Sequence, residues 1–179
     1  MTFNHFTTHE RYTRKELSKL RSDAQVLELG TGECSSSLMY EFCKNNPDAT
    51  VQAFETSLTW FNVMHKKFGD LPNYIFNYIE TWAGLKDKIL EKSYDFTFVD
   101  QEPWMARIES IDLLKDKCNI FLLHDYDYFN SFEEHCKNIF INDNNSWLGK
   151  RYMKQFKMED NYDIIPPTLV MRKKEENNE

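Results

Sequence analysis

Short apolar runs alternate with segments of helical spacing along most of the chain. Five runs have the composition and length of strands, and they occupy residues 24–29, 50–55, 74–78, 95–100 and 119–125. Apolar positions three or four residues apart predict helices at 35–43, 60–68, 85–90, 108–114 and 129–141. Strands that alternate with helices in this way favour right-handed βαβ crossovers and hence a parallel sheet.

The rhythm changes after residue 146. Residues 151–158 and 168–172 have strand character without a long helix between them, which predicts an antiparallel hairpin at one edge of the sheet. Residues 1–22 are expected to form a helical segment that covers the mouth of the sheet, and 173–179 form a charged tail. The pattern predicts one α/β domain over residues 1–179, with a Rossmann-like, doubly wound, mostly parallel seven-stranded sheet that ends in an antiparallel hairpin.

Composition narrows the class of protein. A chain of 179 residues can bury about 70% of the surface of its unfolded form, so it needs no disulfide or metal to fold. The net charge of −7 argues against a broad nucleic-acid surface, which needs clustered Lys and Arg. The sequence shows neither a signal peptide nor a membrane-length apolar run. The four cysteines have no metal-site spacing and read as reduced thiols, so we expect a cytoplasmic protein without membrane partners.

The most informative stretch joins the first predicted strand to the first helix through Gly30 and Gly32. Glycine permits positive φ and close approach of a ligand, and a helix start offers free N–H groups to an anionic group. Serines 35–37 are candidates for capping that helix. Glu28, two residues before Gly30, would repel a pyrophosphate and suits a cationic group such as an ammonium. Ser35 stands where the dinucleotide fingerprint has its third glycine, which disfavours NAD.

A second acid, Glu55, ends the next strand. It lies 23 residues after Gly32, close to the spacing of about 20 at which an acid binds ribose hydroxyls in this type of sheet. The loop, Glu28 and Glu55 together describe a site for a nucleoside that carries an amino-acid tail. Trp60, in the following helix, either packs near the ribose or belongs to the core.

With these residues in place, the segment 24–172 resembles the class I S-adenosylmethionine-dependent methyltransferases. The resemblance implies that the glycine loop contacts the methionine part of the cofactor, that Glu55 binds the ribose, and that Ile79 and Glu80 lie near the adenine. The cofactor-binding residues that it implies are Glu28, Gly30, Thr31, Gly32, Ser35, Ser36, Glu55, Thr56, Ile79, Glu80 and Asp100.

Two aspartates end the fourth and fifth predicted strands. Ligands of a doubly wound sheet bind beyond the carboxyl ends of its strands, so Asp100 and Asp125 are expected to face one crevice. They could share a divalent cation, or one could act as a general base. The pair is similar to that of small-molecule O-methyltransferases of the catechol and macrocin type, in which such acids bind magnesium. The chain also resembles methyltransferase domain family 24. Tyr126 departs from the Asp or Asn of that pattern at the third ligand position.

Other residues near these strand ends have two readings each. His124 is either a base at the site or a packed histidine, and strand alternation predicts that it points away from Asp125 unless the strand has already ended. Trp104 and Tyr126 either line an acceptor pocket or pack in the core. His9 lies in the N-terminal segment, for which a site role is the lesser alternative.

We therefore expect a methyltransferase that transfers a methyl group from S-adenosylmethionine to a small-molecule or sugar hydroxyl. Asp100 and Asp125 are the expected catalytic residues and the candidate ligands of Mg²⁺. The alternatives are a catalytically silent protein that binds S-adenosylmethionine and a nicotinamide-dependent oxidoreductase. Nucleic acid is not an expected partner, because no N-P-P-Y or D-P-P-Y motif follows the fourth strand. Aromatic residues expected at the surface, Phe3, Phe6 and Tyr12, are candidates for a homodimer contact.

Overall fold

The structure is a computed structural model, and it describes residues 7–89, 91–126, 147–161 and 166–175. Seven strands form one sheet in the order β3-β2-β1-β4-β5-β7-β6. The first five of that order run parallel, whereas β7 is antiparallel to both β5 and β6. The strands are β1 (Gln25–Leu29), β2 (Thr50–Glu55), β3 (Tyr74–Tyr78), β4 (Tyr94–Val99), β5 (Cys118–His124), β6 (Phe156–Asn161) and β7 (Thr168–Lys173). The predicted fold class is confirmed.

Helices cover both faces of the sheet, as the doubly wound prediction requires. They are α1 (Glu10–Leu17), α2 (Glu33–Asn45), α3 (Leu58–Phe68), α4 (Lys86–Ile89), α5 (Trp104–Leu114) and α6 (Trp147–Tyr152), with a 3₁₀ turn at Trp82–Leu85. Side chains alternate along each strand, so one set packs under α1, α2 and α3 and the other under α4, α5 and α6. Val26 and Phe98 belong to the first core, whereas Leu27 and Val99 belong to the second.

The prediction is least accurate near the end of the chain. The first five strands lie within one residue of their predicted bounds, but the start of the strand predicted at 151–158 is wrong. Residues 147–152 are helical, because Leu148 and Tyr152, four residues apart, are both buried and form one helical face. The strand begins only at Phe156. The helix predicted at 129–141 lies outside the described residues.

The N-terminal helix α1 lies across the sheet rather than standing free. Glu16 is buried and pairs with Arg172 of β7 at 2.7 Å, which fixes the C-terminal end of α1 to the late hairpin. The preceding residues Thr8 and His9 are buried near the carboxyl ends of β4 and β5. Tyr12 is also buried, so the expectation that it lies exposed at a dimer contact is wrong, while Phe3 and Phe6 lie outside the described residues.

Two further expectations can be compared with the described part of the chain. Cys34, Cys43 and Cys118 are free thiols, and Cys136 lies outside the described residues. No helix among these residues combines the length and the apolar character that crossing a bilayer requires.

Candidate functional site

The glycine loop connects β1 to α2 at the carboxyl edge of the sheet. Gly30 has a φ of 82°, and a Cβ atom added there would lie 2.4 Å from the carbonyl oxygen of Asp100. Only glycine therefore allows the exit of β1 to pack against the end of β4. The predicted serine cap is wrong, because Gly32 is the N-cap of α2 and no side chain caps the helix. Ser36 instead donates to the carboxylate of Glu28.

Glu28 lies between the sheet and α2, fully buried. Its Oε1 accepts a hydrogen bond from Ser36 Oγ at 2.9 Å, and its Oε2 accepts one from the Tyr74 hydroxyl. Burial raises the pKa of Glu28 to about 7, although the hydrogen bonds from Tyr74 and Ser36 oppose that rise. The carboxyl group thus supports the loop from inside the protein, and its contact with a ligand remains a prediction.

Glu55 ties the glycine loop to the start of α3. Its Oε2 accepts hydrogen bonds from the backbone N–H and the hydroxyl of Thr31, both at 3.0 Å. Its Oε1 accepts from the backbone N–H groups of Thr56 and Ser57, both at 2.8 Å. Trp60 is at the surface, not in the core, and its indole Nε1 donates to the Thr31 carbonyl oxygen. Thr31 is therefore held on both sides, by Glu55 and by Trp60.

A cavity of about 330 Å³ is lined by Thr56, the residue after Glu55, and by residues that follow β3 and β4. Thr56, Glu80, Trp82, Glu102 and Met105 are among its lining residues. Of the two residues predicted near adenine, Glu80 lines this cavity, whereas Ile79 is buried in the core under α4 and α5. The volume lies in the range of small-molecule sites. Another cavity of about 320 Å³ lies between α1 and α2, away from the strand ends.

Asp100 is held by two neighbours at the end of β4. Its Oδ1 lies 3.0 Å from the guanidinium of Arg107, and its Oδ2 lies 3.2 Å from His124 Nδ1. Burial raises the pKa of Asp100, but the contact with His124 and the positive charge of Arg107 outweigh burial and hold it below its ordinary value. Arg107 also donates to the carbonyl oxygens of Gln101 and His124, so its buried side chain joins the ends of β4 and β5.

Asp125 joins the same cluster because β5 stops one residue earlier. His124 is the last residue of the strand, and Asp125 has a φ of 49°, in the left-handed region that aspartate tolerates. Asp125 Oδ1 therefore lies 3.6 Å from His124 Nε2, so the two side chains do not point apart, which is the case expected when the strand ends before Asp125. The hydroxyl of Thr8 contacts the same Nε2 at 2.9 Å.

The side chains at the ends of β4 and β5 include possible metal ligands, but their surroundings do not suit a metal ion. Asp100, His124 and Asp125 each offer a ligand atom within 4.8 Å of the others. A divalent cation bound there would lie beside the Arg107 guanidinium, which already neutralises Asp100. Tyr126, at the third position of the metal pattern, is fully buried in the core. Trp104 packs in the same core and donates to the Asp125 carbonyl oxygen, so among the described residues both aromatics have the packing role.

Histidine 9 packs its ring against two aromatic neighbours of this cluster. Its centroid lies 4.8 Å from that of Phe98 and 4.6 Å from that of His124, and neither ring nitrogen has a hydrogen-bond partner among the described residues. Burial, assisted by the nearby His124, lowers the pKa of His9 to about 3. Histidine 9 is therefore neutral in the folded protein at any pH near neutrality.

This burial predicts a loss of stability in acid. In the unfolded chain His9 takes up a proton below its ordinary pKa of 6.5, whereas in the folded protein it does so only below about pH 3. The contribution of neutral His9 to the free energy of unfolding is therefore complete above pH 6.5 and falls as the pH drops. At pH 5 the loss is about 2 kcal/mol. His9→Phe keeps the ring packing and should remove this loss, measured by urea unfolding at pH 7 and pH 5. Equal losses in wild type and variant would contradict it, and exposed His65→Phe is the control.

The sequence interpretation missed Arg107 and Gln101, among other residues of the site. Arg107 has one sequence signal: it precedes the helix predicted at 108–114 by one residue, and it lies three residues after Trp104 and four before Ile111, a spacing that would place it on the apolar face of a longer helix. Gln101 has none. It is fully buried beside Gly30, and its side-chain amide has no hydrogen-bond partner among the described residues.

Comparisons with known proteins bear on the fold. No protein-family model matches the sequence, and no curated protein is similar enough to be matched. Among solved structures, precorrin-6y C5,15-methyltransferase from Geobacter metallireducens is 16% identical with a TM-score of 0.62, over 97% of this chain and 94% of that one. An rRNA methylase from Streptococcus thermophilus is 10% identical with a TM-score of 0.60, over 98% and 99% of the two chains.

A third similar structure was solved with a cofactor product. TrmK from M. capricolum, in complex with S-adenosylhomocysteine, is 9% identical with a TM-score of 0.56, over 96% of this chain and 70% of that one. Because an rRNA methylase is among these structures, the comparisons do not support the expectation that nucleic acid is excluded. At such low identities the likeness concerns the fold alone, and this chain has the seven-stranded fold that these methyltransferases share.

Proposed function

We propose that this protein is an S-adenosylmethionine-dependent methyltransferase that acts on a hydroxyl group of a small molecule or sugar. One observation carries the proposal: the glycine loop, Glu55, the 330 Å³ cavity and the Asp100–His124 pair all lie along the carboxyl edge of a single sheet. Ligands of doubly wound sheets bind at this edge.

The chain supplies groups for each part of the cofactor. Backbone N–H groups at the start of α2 are available for the carboxylate of the methionine tail. Glu55 is the acceptor for ribose hydroxyls, and the cavity lined by Thr56 and Glu80 is the place for adenine. S-adenosylmethionine, when bound, supplies a methyl group attached to a sulfonium sulfur.

The acceptor hydroxyl must lose its proton, and His124 is the group best arranged to take it. Asp100 is a poor base because its pKa is lowered, but its carboxylate favours the tautomer of His124 with the proton on Nδ1. The Asp125 carboxylate lies farther from the ring, with Oδ1 at 3.6 Å from Nε2, so Nε2 is left as the acceptor in the arrangement of a carboxylate, an imidazole and a hydroxyl. The Thr8 hydroxyl occupies this position here, so an acceptor hydroxyl would replace it.

We predict that Glu55→Ala weakens the binding of S-adenosylhomocysteine by about 10- to 200-fold, since one or two charge-assisted hydrogen bonds are lost. Isothermal titration calorimetry measures the dissociation constant. Glu91→Ala is the control, because this exposed carboxylate lies outside the cavity. Unchanged affinity in a folded Glu55→Ala protein would remove Glu55 from the site.

The function itself is tested in two stages. Calorimetry with S-adenosylmethionine and S-adenosylhomocysteine should first show saturable binding, and no binding of either would overturn the proposal. Transfer of a labelled methyl group should then be measured across phenols, sugars and rRNA fragments. Methylation of the RNA alone would retain the methyltransferase and reject the small-molecule acceptor.

One observation favours a second function, that of a silent protein that binds the cofactor without turnover. Asp100 is paired with Arg107, and Nε2 of His124 is already in contact with Thr8, so both polar groups at the reaction end have internal partners. Binding of S-adenosylmethionine without transfer to any acceptor, in the same two-stage experiment, would favour this alternative.

A further inference from the structure

We propose that Thr31 competes with the ribose hydroxyls for Glu55, so that its side-chain hydroxyl sets the affinity of the adenosyl site. This inference rests on the proposed function, and it deepens that function by naming the residue that a ligand has to displace. Thr31 is on this view a positioning residue, since it acts through the carboxylate of Glu55.

The evidence is that all acceptor positions of the Glu55 carboxylate already have hydrogen-bond donors. Two oxygens offer about four acceptor positions in all. Thr31 fills two of them, through its N–H and its hydroxyl at 3.0 Å, and the N–H groups of Thr56 and Ser57 fill the other two at 2.8 Å. A ribose hydroxyl can therefore bind Glu55 only if one of these donors leaves.

The four donors are not equally free to leave. The N–H groups of Thr56 and Ser57 belong to the backbone at the start of α3, where Ser57 is the N-cap. The N–H of Thr31 follows Gly30, which packs against Asp100, and the Thr31 carbonyl is held by the Trp60 indole. The hydroxyl of Thr31 alone can leave by rotation about a single side-chain bond, with the backbone unchanged.

Removal of this hydroxyl should therefore favour the bound state. Without a ligand, the hydrogen bond from the Thr31 hydroxyl to Glu55 stabilises the loop. Binding has to exchange that hydrogen bond for one from a ribose hydroxyl. In a variant without the Thr31 hydroxyl, one acceptor position of the largely buried Glu55 carboxylate stays unfilled until a ligand binds. We expect the affinity of Thr31→Val for S-adenosylhomocysteine to rise about tenfold, while the thermal midpoint of the empty variant falls.

The experiment compares the dissociation constants of wild type, Thr31→Val and Thr31→Ser for S-adenosylhomocysteine by calorimetry. Valine is isosteric and lacks the hydroxyl, whereas serine keeps it and should lack the gain. Thr59→Val, an exposed threonine on α3, is the matched control for the same change of side chain. An affinity of Thr31→Val equal to or weaker than that of wild type would overturn the inference.

A second ligand separates competition at Glu55 from a general loosening of the loop. With a 2′,3′-dideoxy analogue of S-adenosylhomocysteine, the gain of Thr31→Val should vanish, and a gain that persists would reject the competition. The outcomes also distinguish the two proposals. If wild type and variants all fail to bind S-adenosylhomocysteine, the proposed function is lost and this inference with it. If all bind and Thr31→Val shows no gain, only this inference is wrong.

Discussion

Replacing Arg107 with methionine is expected to lower the free energy of unfolding by about 3 kcal/mol. Methionine keeps much of the buried volume but leaves the Asp100 carboxylate without its cation. It also removes the donors to the carbonyl oxygens of Gln101 and His124. Urea unfolding at pH 7 measures the change.

Two comparisons make this prediction specific. Arg151→Met removes an exposed arginine that also pairs with an aspartate, Asp112, and should cost less than about 1 kcal/mol. In the double variant Arg107→Met/Asp100→Asn, the unpaired charge is gone, so a substantial part of the lost stability should return. A loss of less than 1 kcal/mol in Arg107→Met alone would mean that the pair does not hold the two strand ends together.

The wild type is expected to lose stability as the pH rises from 5 to 8, and the variant Glu28→Gln is expected to abolish that loss. Burial raises the pKa of Glu28 from 4.5 to about 7. The unfolded chain therefore releases this proton at lower pH than the folded chain does. The contribution to stability is complete below pH 4.5 and is lost as the pH rises to about 7, by about 3 kcal/mol in total.

Glutamine imitates the neutral carboxyl group, because its amide can exchange hydrogen bonds with both Ser36 and Tyr74. At pH 8 we expect the variant to be more stable than wild type by about 2 kcal/mol, with a difference below about 1 kcal/mol at pH 5. Urea unfolding at the two values measures this, and Glu33→Gln, on the surface of α2, is the control. An unchanged pH dependence in Glu28→Gln would show that Glu28 is ionised in the folded protein well below pH 7.

Sequence patterns located most of the fold because buried strands carry dense apolar runs. The five parallel strands were predictable for that reason, and so was the meeting of Asp100 with the glycine loop, since both follow adjacent strands. The helix at Trp147–Tyr152 was not, because a two-turn helix carries too few apolar positions to be told from a strand.

The details of the site could not be predicted from the spacing of apolar residues along the chain. The direction of the Asp125 side chain follows from the residue at which β5 stops, and alternation holds only inside a strand. The pairing of Asp100 with Arg107 depends on the reach of a long side chain from a neighbouring helix. Whether Glu55 is free or already bonded depends on the conformation of one loop residue, Thr31.

The position of β7 has a consequence for how the chain is assembled. This strand follows β6 in sequence, yet it lies between β5 and β6 in the sheet. While the protein is being synthesised, β5 therefore has one open edge until residues 168–173 have left the ribosome. Open edges are where strands of other chains add, so we expect nascent chains to be most vulnerable to aggregation in this interval. This interval ends when β7 pairs with β5.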